Sequence, residues 1–418
     1  MKLHFGILNR MNMRVLWLLF AVSPLSLFAQ MPVGPGEAVS TLQQAIAKAE
    51  PGDHILLREG IYPVHNLTID KSLTIEGEGR VILDGEQKGF VVKIHAEDVI
   101  FRNVEIHNSS FGFMEDYAGI LIEDTRNVLI ENVLLIDNYF GIYIAKSSDI
   151  ILRDNRLRSN ATRESTSGNG IHLWYSKNIT IEGNDITGHR DGIYFEFVED
   201  SHILKNISHN NLRYGLHFMY SNRCVYTANT FRQNGAGVAV MYTKDVEMRK
   251  NRFERNWGAN AYGLLLKEIG DSQISENVFE NNTVAIYAEA SNRMIVEGND
   301  FIGNGWAVRI QGNCVDNRFV KNNFLENSFD VGTNSRQHYN HFEGNFWSQY
   351  EGYDLDLDGI GDVPYRPVRL FSMLIEKRPE SLILLRSMMV SLLDLAERVM
   401  PVLTPETLVD KKPKMRKL

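Results

Sequence analysis

The feature that most constrains this chain is a unit of about 22 residues that recurs through its middle. Segments opening at Gly119, Gly141, Gly170, Gly192, Gly215, Gly237, Gly263, Ala285 and Ala307 follow one another at 22 or 23 residues, except for steps of 29 after Gly141 and 26 after Gly237. The two long steps place insertions near Ala161–Asn169 and Trp257–Tyr262. A unit this short cannot bury an apolar face alone, but stacked units share one continuous core.

Inside each unit the small residue at position 0 reads as opening a turn. Positions 1 and 3 are apolar, as in Ile171/Leu173, Ile193/Phe195, Leu216/Phe218 and Val238/Val240. That period of two is a strand with one face inward. Position 14 is Asn in seven consecutive units: Asn155, Asn184, Asn206, Asn229, Asn251, Asn277 and Asn299. Position 19 forms a second column of Asn138, Asn160, Asn211, Asn234, Asn256, Asn282 and Asn304, and position 16 stacks Phe231, Phe253, Phe279 and Phe301. Asn tolerates the left-handed conformation of corners, and its amide can bond to the same amide one coil on. The reading is an all-β, right-handed parallel β-helix of roughly ten coils. A leucine-rich repeat shares the period but would be leucine-dominated and partly helical.

The ends differ from the middle. Lys2, Arg10 and Arg14, the apolar run Val15–Phe28 and small Ala29 read as an export signal over 1–29, with Met11 or Met13 as alternative starts and an uncut anchor as the alternative fate. Residues 30–110 read as an N-terminal cap and first coils, with Ala38–Glu50 a short amphipathic helix stopped by Pro51-Gly52 and covering the open edge. The β-helix proper is assigned to 111–346, an acidic segment to 347–379, and an amphipathic helix (Leu382–Met400) with a basic tail (Lys411–Lys417) to 380–418. Arg386, Asp394, Glu397 and Arg398 interrupt that helix and argue against a membrane span. The two cysteines, Cys224 and Cys314, fall four coils apart, about 19 Å at ~4.8 Å per coil, too far to bridge. A net charge of −8 in 418 residues argues against a nucleic-acid partner.

Positions 2 and 4 face outward. In the middle coils they bring together His172, Trp174, Tyr194, Glu196, His217, Met219 and Met241. Met219 and Met241 share a column on adjacent coils, and His217 precedes Met219 by two residues on the same face. Two thioethers and an imidazole favour Cu(I), with His172 a further candidate ligand two coils below. The same residues also fit methionines packed under a loop or partner, and plain polar surface. A lyase or epimerase of uronate polymers is the alternative, with Tyr194 or His217 as base and Arg309 as electrostatic stabiliser. The face carries no dense basic strip for such a polymer. Farther on, Asp354, Asp356, Asp358 and Asp362, with Gly359 at the sixth position, resemble the first half of a calcium loop, but Tyr365 stands where an EF-hand needs Glu.

The coils resemble the pectin-lyase-like β-helix superfamily. More specific are Asn345-Phe346-Trp347, the stretch Tyr353–Pro367, the run Leu392–Pro405, then Leu408-Val409-Asp410 and Met415-Arg416. These are similar to the NosD family of periplasmic proteins. The resemblance implies a non-enzymatic accessory protein for assembling the copper–sulfur centres of nitrous oxide reductase. It implies partners as well: the permease and ATPase of an ABC transporter, a copper-chaperone lipoprotein, and apo nitrous oxide reductase. Copper would be a transient cargo, and residues 380–418 would attach to the transporter.

Overall fold

The computed structural model describes residues 30–112, 115–335, 339–385, 387–399 and 408–418. The export signal read in 1–29 lies outside the described residues. The chain winds into a parallel β-solenoid whose coils contribute to three sheets of 14, 12 and 13 strands. Each strand pairs in parallel with its counterpart one coil away, as Tyr194 does with His217 and Met219 with Met241. The stack is therefore longer than the roughly ten coils expected, because the first coils, from Gln30 to His107, lack the asparagine columns that mark the repeat. At the N-terminal end, helix α1 (Leu42–Lys48) is capped by the Thr41 hydroxyl and buries Leu42, Ala45 and Ile46.

A column of asparagine and a column of phenylalanine organise the interior. Asn155, Asn184, Asn206, Asn229, Asn251, Asn277, Asn299, Asn322 and Asn345 each offer Oδ1 to the backbone N–H and side-chain amide of the rung before, except that Asn155, the first, offers it to the backbone N–H of Val133 alone. Buried polar groups are affordable here because each is paired. The phenylalanine column stacks face to face, with Phe253 and Phe279 at 4.5 Å and 5°, and continues through Phe324 to Trp347.

Two expectations about the repeat are corrected. The small residue at position 0 does not open a turn; it lies inside the strand, as Gly215 does in Tyr214–Met219. It is small because a Cβ at Gly215 would come within 2.6 Å of the Gly237 carbonyl of the next coil. Asn160 is not a rung of the second ladder. It is exposed and donates to Asp137, because the Ala161–Asn169 insertion pulls the chain outward there. One coil later His189 takes the rung's place, its backbone N–H bonded to Asn211 Oδ1.

The C-terminal part is folded onto the stack. Helix α2 (Leu370–Lys377), inside the segment read only as acidic loop, buries Phe371 and Ile375 against Val284, Trp306 and Phe329. The helix expected over Leu382–Met400 is instead a 3-10 turn (Pro379–Leu384) followed by helix α3 (Met388–Val399). The basic tail does not project freely: Leu408 and Asp410 just before it are fully buried, Lys412 pairs with Glu343, and Lys414 bridges to Phe346 and Ile360. Both cysteines are free and buried.

Candidate metal site on the outer face

The outward column at position 2 runs Tyr143, His172, Tyr194, His217, Ala239, in register on successive coils. Large neighbours close over one another, so an outward-facing side chain becomes buried. His217 retains only 5% of its exposure. Its ring lies 5.0 Å from that of Tyr194 and 4.8 Å from that of Tyr214. Neither imidazole nitrogen has a hydrogen-bond partner among the described residues. Behind it stands Asp191, fully buried, held by the Arg213 guanidinium and 3.6 Å from His217 Nδ1. The Arg213 and His217 side chains hold the Asp191 carboxyl below the usual carboxylate range against the opposing effect of burial.

Met219 and Met241 pair directly across adjacent strands and are both half-buried. The Tyr194 hydroxyl lies 3.5 Å from Met219 Sδ. Burial raises the Tyr194 phenol to about 12, so it stays protonated near neutral pH and can donate to a thioether. The structure thus brings His217, Met219, Met241 and Tyr194 onto one patch three coils high. His172 is separated from it by the Tyr194 ring, 4.7 Å away, and its Nδ1 already faces the Asn169 amide at 3.0 Å. Burial lowers the His172 imidazole to about 3, leaving it neutral. Asp191 and Arg213 were not singled out from the sequence, and only the burial of their coil reveals them.

Arg309, offered as the stabiliser of a uronate, is not free on the face. It makes a bidentate pair with Glu376 of α2 at 2.7 Å and 2.7 Å. Tyr194, as a phenol raised by burial, is a poor base.

In the acidic loop, carboxylate oxygens of Asp354, Asp356 and Asp358 lie within 4.8 Å of one another. Asp354 accepts from the backbone N–H groups of Asp358 and Gly359. Asp362 is not in that group and accepts from Leu355 N at 2.7 Å. The neighbouring Asp358 charge raises Asp356.

The chain matches the family described as periplasmic copper-binding protein (NosD) over residues 53–165 and 159–352. It is 29% identical to the probable ABC transporter binding protein NosD of Pseudomonas aeruginosa, over 92% of this chain and 95% of that one. It is 25% identical to the protein of the same description from Stutzerimonas stutzeri, over 95% and 94%. Among solved structures, the surface adhesin PfbA of Streptococcus pneumoniae superposes with a TM-score of 0.55 at 15% identity, covering 70% of this chain and 87% of that one. The A-module of mannuronan C-5 epimerase AlgE6 from Azotobacter vinelandii gives 0.55 at 16%, covering 76% and 98%. An adhesin and an epimerase on one scaffold share the fold alone.

Proposed function

As the chain belongs to the NosD family of periplasmic copper-binding proteins, we propose that it accepts Cu(I) at His217, Met219 and Met241 and relays it toward the copper–sulfur centres of nitrous oxide reductase. The observation that carries this reading is His217: a buried imidazole with no hydrogen bond to Nε2 among the described residues and only the Asp191 carboxylate, at 3.6 Å, near Nδ1, on the strand that presents Met219. An orphaned buried polar group costs about 1–3 kcal/mol, and a bound ion would relieve that cost. Two thioethers and one imidazole form a soft, three-coordinate set that prefers Cu(I) to harder divalent ions. Asp191 stands where an outer carboxylate would orient the ring, leaving Nε2 for the metal. His172 lies outside this trio and serves at most as a neighbouring stop.

The relay works with an ABC transporter, as the names of both relatives suggest, and the chaperone lipoprotein and the apo reductase are donor and acceptor. The attachment is the outward side of residues 380–399, where Leu382, Ile383, Met388, Met389, Leu392 and Leu395 are all exposed. No helix among the described residues is long and apolar enough to cross a membrane, so the segment docks rather than spans. Calcium at Asp354, Asp356 and Asp358 would neutralise the crowded carboxylates and stiffen the loop.

The test is titration with Cu(I) under reducing conditions against a chromophoric chelator. The wild type is expected to bind one equivalent, and Met219→Ala with Met241→Ala to bind none while melting at an unchanged temperature. Full stoichiometry in the double variant would place the site elsewhere.

A further inference from the structure

Immediately after the position-4 column, the chain turns a corner in the left-handed region on every coil. The residues there are Asp124, Lys146, Tyr175, Phe197, Tyr220, Tyr242, Glu268 and Ala290, with φ between 46° and 55°. The corner therefore demands a positive φ, and Asp, Lys, Glu and Ala all satisfy it. It does not demand an aromatic ring, since the steric cost of that conformation comes from the Cβ that all of these residues share. Four consecutive coils nevertheless carry one.

The four rings form a ladder. Tyr175 and Phe197 stack at 4.5 Å, Phe197 and Tyr220 at 5.2 Å, Tyr220 and Tyr242 at 4.9 Å, with interplanar angles of 22°, 10° and 12°. Tyr175, Tyr220 and Tyr242 remain 53%, 42% and 41% exposed. An open groove runs beside them, bordered by Arg126, Lys146 and Lys177 and by Glu97, Asp124 and Glu199. Its charges are three of each sign, which suits neither a polyanion nor a polycation. The inner ring faces are spent on one another, so along the strip a sugar meets mostly edges and hydroxyls rather than a continuous stacking platform. Exposed aromatic edges tipped with hydroxyls are what protein interfaces enrich.

The ladder's upper rungs are covalent neighbours of the two methionines: Tyr220 follows Met219 and Tyr242 follows Met241. A protein that brings an ion to those sulfurs from the corner side meets these rings first. We propose that the Tyr175–Phe197–Tyr220–Tyr242 ladder is the docking strip for a Cu(I)-carrying protein that exchanges its ion at the adjacent methionine pair. This rests on the copper reading above and adds the surface through which the partner is recognised. A strip of four rings, about 14 Å at ~4.8 Å per coil, has the size of a transient contact and not an obligate one. Transient contact is what transfer requires.

The experiment uses the full mature chain with Tyr220→Asn and Tyr242→Asn, since Asn accepts the left-handed conformation. Two donors are compared: the Cu(I)–bicinchoninate complex, and the Cu(I)-loaded chaperone lipoprotein of the same maturation system with its lipid removed. The double variant should take Cu(I) from bicinchoninate as the wild type does, melt no lower, and take it from the protein donor at least tenfold more slowly. Equal rates from the protein donor would overturn the docking strip and leave the copper site standing. Failure of the wild type to take Cu(I) from bicinchoninate would overturn both. Retention of the wild type on immobilised neutral oligosaccharide, lost in the variant, would replace the protein partner with a glycan.

Discussion

The side-chain amide of Asn345 donates to the carboxylate of Asp410 at 3.0 Å, across 65 residues of sequence. Every rung of the ladder donates in the same direction, so the last amide N–H has no further rung to meet. Asp410 supplies the missing acceptor. Its oxygens also take the N–H groups of Gly344, Asn345, Lys412 and the Trp347 indole. An anion at the donor end of aligned amides is the counterpart of a carboxylate at a helix N-terminus. Asp410→Ala leaves several buried donors unpaired and should lower stability by about 3 kcal/mol, read as a fall in the urea midpoint. Asp410→Asn, which keeps one acceptor, should cost less.

The phenylalanine column should be as sensitive as its packing implies. Phe253 is fully buried between Phe231 and Phe279. Phe253→Ala opens a cavity that stacked strands cannot collapse into, and should cost about 3–5 kcal/mol. Chemical denaturation followed by near-ultraviolet circular dichroism would show it, and an unchanged midpoint would contradict the stacked core.

Asp330 sets a pH dependence of opposite sign to the usual acid one. Burial raises its carboxyl to about 6, while the Tyr365 hydroxyl bonds one oxygen at 3.2 Å. Below the unfolded value near 4, both states hold the proton and the group contributes nothing. Between there and about 6 the unfolded chain ionises first, so stability falls as pH rises, then levels off. The loss is on the order of 2–3 kcal/mol. Asp330→Asn keeps an acceptor for Tyr365 and removes the charge. The variant should match wild type near pH 4 and melt higher at pH 7; equal melting at both pH values would show that the carboxyl is not perturbed.

The ladder and ring columns were legible in the sequence because each is a local consequence of the period: one residue type at one offset, repeated. What the period could not show depends on neighbours across coils or on distant chain. His217 sits in an outward column and reads as surface, yet the rings of Tyr194 and Tyr214 bury it. Asn160 fits the offset but is pulled out of line by an insertion whose path no offset records. Arg309 reads as a free cation until α2, which has no repeat to announce it, brings Glu376 against it. The Met219/Met241 pairing followed from the columns alone, whereas the buried Asp191–Arg213 pair behind His217 did not.

The Asp410 contact also decides how attachment to a transporter must be tested. Deleting everything after Pro379 would remove the C-terminal apolar segment and the ladder's terminal acceptor together, so loss of binding could not be told from loss of fold. Helix α3 separates the two roles. Val390 and Leu393 pack inward on the cluster around Phe371 and Ile375. Met388, Leu392 and Leu395, spaced for one helical face, stand outward with 79%, 54% and 58% of their surface exposed. Replacing these three with Ser removes the apolar stripe and leaves the inward contacts and Asp410 in place. The triple variant should melt within a few degrees of wild type, since exposed side chains contribute little to folding. It should also lose copurification with the transporter from detergent extracts. Undiminished copurification would move the attachment away from this helix, and a collapse in melting temperature would show that the stripe supports the fold rather than a partner.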